Sequence, residues 1–292
     1  RACSHAAGTA SRASPIRTCS ALVLQRLLLR RGRPDPLDAL QDGVARLRLL
    51  HSAMDQDILR LKLLQSGLEG EAAPVLARAE ELGWDIDTIL ITHHHGDHVA
   101  GVKTLKAATG ATVIGPGGDS QDIPGLDQSV ADGDTVSFGS ETFKVIGVYG
   151  HTSGHITYFA ETDQALFSGD ALFSVGCGRF FEGTAADMWP GLLKLRELPD
   201  ASRVYCGHEY TATNVAFAVS IDADNAELHR YAGIVAMLRS EEMPTVPANL
   251  GLEKKINPFL RADDPTFAEK HGYQGQEGVT FLAHIRAGKD SF

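Results

Sequence analysis

Four cysteines in 292 residues, Cys3, Cys19, Cys177 and Cys206, form no CxxC pair. Neither a thiolate zinc knuckle nor a disulfide framework is indicated, and a reducing compartment is the simpler setting. No apolar run approaches the roughly 20 residues that span a bilayer, so a transmembrane-helix protein is excluded. Positive charge is also in deficit. A net charge of -10 argues against a chain whose main partner is a nucleic-acid backbone or an anionic membrane surface. A GxSxG elbow is missing, which removes the commonest serine-nucleophile arrangement. What remains is an ordinary globular composition, 43% hydrophobic and 22% charged, long enough for one large domain or two modest ones.

The charge is unevenly placed. Residues 1–68 hold eleven Lys or Arg against five Asp or Glu, net +6, which leaves the remainder at -16. The first 34 residues carry seven Arg, several Ser and Ala and no acid. That composition resembles an organellar transit peptide, and GC-rich coding sequence read out of frame yields the same residue types. Residues 36–66 space Leu, Val and Ile at three and four, which predicts an amphipathic helix.

From about Glu71 the pattern becomes regular. Pro74 suits the first turn of a helix through VLARAEEL, and Gly83 suits its stop. The run DTILIT predicts a short buried strand, followed by a helix from Val99 to Ala108. Strand candidates follow at ATVIG, DTVSFG, ETFKVIGVYG, HITYFAE, QALFSGD and RVYC. Helical patterns return at residues 185–198, 211–220 and 226–242 and near the end of the chain. Strands in the middle and helices at the end predict an αβ sandwich with a helical appendix. The expected division is an atypical basic segment 1–70, a catalytic domain 71–235 and a helical domain 236–292.

The strongest chemical signal is Thr92-His93-His94-His95-Gly96-Asp97-His98, directly after a predicted strand. Histidine tracts also occur as solvated loops, so this segment alone decides little. Three further residues of ligand type also follow apolar runs: His151 in YGHTSGH, Asp170 in LFSGDALF and His208 in VYCGHEY. If the strands pack side by side, their ends bring these groups to one place. Imidazole and carboxylate suit first-row metals such as zinc, iron or manganese. His93 and His95 can face one ion while Asp97 and His98 face a neighbour.

This ordered set resembles the ligand pattern of the metallo-β-lactamase superfamily. The resemblance implies an α/β fold, an αβ/βα four-layer sandwich, with two divalent metal ions, zinc foremost. It further implies His93, His95 and His151 on one ion, Asp97, His98 and His208 on the other, and Asp170 bridging them. His94 and His155 match positions that do not ligate. Two such cations sharing a water can bring its pKa from about 15.7 toward neutrality, so a metal-bound hydroxide is the expected nucleophile, with Asp97 and Asp170 as the catalytic carboxylates.

The segment Gly176-Cys177-Gly178-Arg179-Phe180-Phe181-Glu182-Gly183-Thr184 is similar to the GCG(K/R)-x-(F/Y)-EGT segment of glyoxalase II, the hydroxyacylglutathione hydrolases. CGHEYT, NPFLR and the closing RAGKDSF are similar to that family as well. The resemblance runs from about Glu71 to the last residue. It implies hydrolysis of S-(2-hydroxyacyl)glutathione, such as S-D-lactoylglutathione, to glutathione and a 2-hydroxy acid. Arg179, Arg286 and Lys289 are implied at the carboxylate end of glutathione, Tyr210 at its peptide, and Phe181 below the substrate, although an aromatic there also suits a core. Arginine and lysine fit an anionic conjugate through charge-assisted hydrogen bonds.

Family members open with strands and an Asn-Tyr turn that have no evident equivalent in residues 1–68, so an inactive truncated chain is one alternative. A persulfide dioxygenase of the same fold, oxidising glutathione persulfide on one iron, is another, and the NPFLR and RAGKD tail speaks against it. A tRNA-processing nuclease with the same histidine loop is disfavoured by the acidic region after residue 70. The expected protein is thus a cytoplasmic monomer acting on a small molecule. A matrix location would follow if the first segment is a transit peptide.

Overall fold

Thr88-Ile89-Leu90, wholly buried, is the strand around which the first half of the molecule is built. It lies in a computed structural model that describes residues 61–63, 72–83, 85–138 and 141–292. The transit-like segment and most of the stretch read as a helix lie outside the described residues.

Four parallel strands form the first sheet in the order β1 (Leu61–Leu63), β2 (Thr88–Leu90), β3 (Thr112–Pro116) and β4 (Gln128–Val130). Here β1 corrects two expectations. Residues 61–63 are a strand rather than part of the predicted helix, and a strand of the first sheet does precede Glu71. The physical reason is that Leu-Lys-Leu alternates as readily as it spirals, and β2 offers a parallel edge with Leu61 opposite Thr88.

Helices α1 (Ala72–Leu82), α2 (Gly96–Val99) and α3 (Val102–Thr109) flank this sheet. Gly83 stops α1 with φ +63°, a left-handed conformation that glycine adopts freely. Ala72, Val75 and Ala79 of α1 and Val102 and Leu105 of α3 pack with Ile89 and Val113 in one buried cluster.

The second sheet runs β12–β11–β8–β7–β6–β5, with β5 (Thr135–Phe138), β6 (Glu141–Gly147), β7 (Ile156–Ala160), β8 (Ala165–Gly169), β11 (Arg203–Cys206) and β12 (Ala248–Asn249). A two-stranded ribbon, β9 (Leu172–Phe173) with β10 (Gly176–Cys177), leaves its rim. Leu90, Ile114 and Val130 of the first sheet meet Phe143, Val145, Tyr158 and Phe167 of the second. The Tyr158 hydroxyl crosses between the sheets and donates to Ile91 O at 2.9 Å.

On its other face the second sheet is covered by helices. These are α4 (Ala185–Arg196), α5 (Thr211–Ile221) and α9 (Gly278–Ser291), through Met188, Leu192, Phe217, Phe281 and Ile285. Helices α6 (Ala226–Ser240), α7 (Leu250–Ile256) and α8 (Pro265–Lys270) complete the helical region. The order helix, sheet, sheet, helix is the expected four-layer sandwich. Among the described residues no helix is long and apolar enough to cross a membrane.

Strand direction fixes where chemistry can assemble. β7 is antiparallel to both β6 and β8, and β8 is parallel to β11. Thus β6, β8 and β11 end on the same rim. The β2 end is tied there too, because Ile156 N–H at the start of β7 donates to Thr92 O at 3.0 Å.

Candidate metal centre

Every predicted donor follows one of those four strand ends. His93, His95, Asp97 and His98 leave β2, His151 follows β6, Asp170 follows β8 and His208 follows β11. The fold brings them together. Ligand-type atoms of His93, His95 and His151 lie within 4.8 Å of one another, as do those of Asp97, His98 and His208. A third such group, His93, His98 and Asp170, joins the two.

Asp170 stands at the centre. Its Oδ2 is 3.2 Å from His208 Nε2 and 3.5 Å from His151 Nε2, and its Oδ1 is 3.3 Å from His98 Nε2. Asp97 Oδ2 lies 3.2 Å from the same His208 nitrogen. His93, His98, His151 and Asp170 are buried, while Asp97 is exposed.

Hydrogen bonding fixes which nitrogens face inward. His151 Nδ1 lies 3.0 Å from Arg179 O, and a carbonyl only accepts, so Nδ1 carries the proton and Nε2 presents its lone pair. The buried Nε2 atoms of His93 and His151 have no hydrogen-bond partner among the described residues. Such orphaned acceptors are rare in an interior unless they ligate something. His155 differs: its Nε2 accepts the Asp170 N–H at 3.1 Å, which orients that carboxylate from behind.

The electrostatics suit a cation. Burial, reinforced by neighbouring imidazoles, holds His93 well below the usual histidine range, and burial lowers His95 and His151 too. Burial alone would raise Asp170, yet hydrogen bonds from His208 and His98 hold it well below the usual carboxylate range. Burial opposes charging of His208, but Asp170 and Asp97 outweigh it and bring the imidazole up to about 10. In His93, His95 and His151 the neutral imidazole is favoured, while His208 holds a proton between the Asp170 and Asp97 carboxylates that a metal cation would replace; imidazoles and carboxylates so placed fit divalent first-row ions.

A cavity of about 590 Å³ opens from His151 and Asp170. Phe181 is 62% exposed, which rules out the core alternative, and its ring stands edge-on to His95 and His151 at 5.6 and 5.4 Å. Tyr210 stacks on His208 with ring centres 4.8 Å apart. Arg179, Arg286 and Lys289 line the same cavity. Arg286 is buried, whereas Arg179 is exposed.

Three participants were not singled out from sequence. Asp119 accepts from His94 N at 3.2 Å, Thr152 Oγ1 at 2.7 Å and Gly154 N at 2.8 Å. Glu182 lies 3.0 Å from His94 Nε2, on the opposite side of the ring from Asp119. Gly178 packs so closely that a Cβ would stand 2.1 Å from Asp170 O. GCGR contained that glycine without marking it, and Asp119 lies in GGDSQD, which reads as an ordinary turn.

Comparison with known proteins bears on the fold and the family. Residues 54–208 match the model of the metallo-beta-lactamase superfamily, starting upstream of Glu71 and taking in β1. The solved structure of ETHE1 from Myxococcus xanthus shares the fold, with a TM-score of 0.55 and 24% identity over 80% of this chain and 83% of that one. Fold and matched sequence together define a metallo-β-lactamase-superfamily protein. Residues 209–292 match the model of the hydroxyacylglutathione hydrolase C-terminus. The hydroxyacylglutathione hydrolase of Rhodospirillum rubrum is 51% identical over 221 residues, 76% of this chain and 86% of that protein. That of Rhizobium etli is 49% identical over 222 residues, 76% and 87% respectively. The chain belongs to the hydroxyacylglutathione hydrolase family.

Proposed function

We propose that this protein hydrolyses S-(2-hydroxyacyl)glutathione, with S-D-lactoylglutathione as the representative substrate, to glutathione and a 2-hydroxy acid such as D-lactate. One observation carries the reading: a single cavity is lined both by Asp170 and His151 of the donor cluster and by the cationic Arg179, Arg286 and Lys289. A glutathione thioester calls for both, since it has a reactive carbonyl and a peptide bearing carboxylates.

His93, His95 and His151 would hold one divalent ion, Asp97, His98 and His208 a second, and Asp170 would contact both. Zinc is the first choice, and iron or manganese suits the same donors. Two such ions supply Lewis acidity and make water ionisable near neutral pH. The chain's own residues do the rest. Lys289 and the arginines hold the glycyl carboxylate, because the glutamyl end already carries an ammonium beside its own acid group. Tyr210, held against His208 by stacking, lines the path of the peptide, and Phe181 and Phe173 limit water at the thioester. The thiolate leaves without an acid partner, since a thiol is a far stronger acid than the amine N–H that would be the conjugate acid of an unprotonated amide leaving group.

The test compares two substrates on one preparation. Loss of the S-lactoylglutathione thioester, without oxygen uptake on glutathione persulfide, is the expected result. Oxygen uptake without thioester loss would replace the proposal with the dioxygenase alternative.

A further inference from the structure

Helix α9 presents Arg286, Lys289 and Asp290 to the cavity, and the last of these has the wrong sign for an anion site. Asp290 Oδ1 lies 2.9 Å from Arg179 Nε and accepts from Arg286 Nη2 at 3.0 Å. It therefore joins a loop residue to a helix residue 107 positions later, both within the same cavity. Arg286 is further fixed by donating from Nη1 to Cys177 O at 2.8 Å, while its buried Nε has no hydrogen-bond partner among the described residues. Lys289 Nζ donates to Thr213 O at 2.9 Å and sits 5.6 Å from the Phe217 ring centre. Besides Asp170 and His151 of the donor cluster, the cavity wall thus holds three cationic side chains, Arg179, Arg286 and Lys289, and one anionic, Asp290, which touches two of the cations.

We infer that Asp290 is a specificity-determining residue, whose carboxylate takes on Arg179 and Arg286 the place of a ligand carboxylate and so caps the affinity for anionic ligands. The inference rests on the glutathione reading proposed above. An incoming carboxylate must share Arg179 with Asp290 or displace it, and in either case two like charges are brought close. Substrate and product carry the same glycyl carboxylate, so affinity at this end is uniform along the reaction and does not lower the barrier. Stronger capture would mainly retain glutathione after the thioester is cleaved. A built-in competitor keeps the guanidiniums aligned and limits that retention.

The experiment is calorimetric titration of the full chain with glutathione and with its glycyl monoethyl ester, for the parent protein, Asp290→Asn and Asp290→Ser. For both variants the glutathione Kd is expected to fall about three- to tenfold, as removal of one like charge near a solvent-facing site implies. The ester Kd is expected to stay unchanged, and the gain for glutathione should shrink as salt rises. Unchanged or weaker glutathione binding in both variants would overturn the inference, as would an equal gain for the ester. If the parent protein binds glutathione and its ester alike, the carboxylate assignment under the proposed function fails first, and this inference fails with it.

Discussion

Asp119 meets His94 twice through one oxygen: Oδ2 accepts the His94 backbone N–H at 3.2 Å and lies 3.0 Å from its Nδ1. The same carboxylate accepts from Thr152 and Gly154, so it ties the His93–His98 loop to the loop carrying His151. Replacing Asp119 with Ala releases both loops without removing any proposed ligand. Metal affinity is expected to fall about 10- to 100-fold, the usual cost of losing a group that orients ligands. Competition with a chromophoric chelator measures this, and unaltered affinity would refute the clamp.

Gly178 offers a steric test. A Cβ there would stand 2.1 Å from Asp170 O and 2.9 Å from His151 Nδ1. Gly178→Ala should therefore displace two donors at once and destabilise the chain by about 1–3 kcal/mol. Metal content by elemental analysis, together with the urea midpoint, checks the claim. Full loading at an unchanged midpoint would contradict it.

Lys289→Met keeps the aliphatic stem against Phe217 and removes the charge. Loss of one charge-assisted contact of about 1.5 kcal/mol should raise KM for S-lactoylglutathione roughly tenfold, with kcat within about twofold. Hydrolysis of a small uncharged thioester should hardly change. Equal losses on both substrates would show that Lys289 supports the fold rather than the ligand.

Glu253 governs a pH effect on stability. Fully buried in α7, it accepts from Val175 N at 2.8 Å, Asn257 Nδ2 at 2.9 Å and Ser174 Oγ at 3.1 Å. Burial outweighs these donors and raises the carboxyl from 4.5 to about 7. The folded state therefore holds this proton more tightly than the unfolded chain. The resulting stability is fully present below pH 4.5 and is lost as pH rises toward 7. Glu253→Gln should abolish that slope. The difference in unfolding free energy between parent and variant should shift by up to about 3 kcal/mol between pH 5 and pH 7.5. Parallel stability curves would sink the assignment.

What the sequence made legible follows a physical divide. Strands such as β2, β7 and β8 are buried on both faces and read as mainly apolar runs in which Thr88, Thr157 and Ser168 are the only hydroxyls of Ser or Thr. β4 exposes Gln128 and Ser129, and β9, β10 and β12 have two residues each, so their pairing is set by neighbours rather than by local pattern. Leu61–Leu63 fits a helical period as well as a strand period, so its local pattern does not reveal the strand. The donor cluster stands out because four imidazoles and a carboxylate fall within residues 93–98, directly after a strand. Asp119, Glu253 and Asp290 did not, since each sits among polar or charged neighbours and only tertiary contacts distinguish it.

Four donors come from residues 93–98, and the remainder lie at 151, 170 and 208, so one ion would fasten segments as far apart as residues 93 and 170 and the other segments as far apart as residues 97 and 208. Loading would act as a removable staple, because only the native chain brings those segments together. The melting temperature should accordingly climb with free zinc concentration, by the mass action of a ligand that prefers one state.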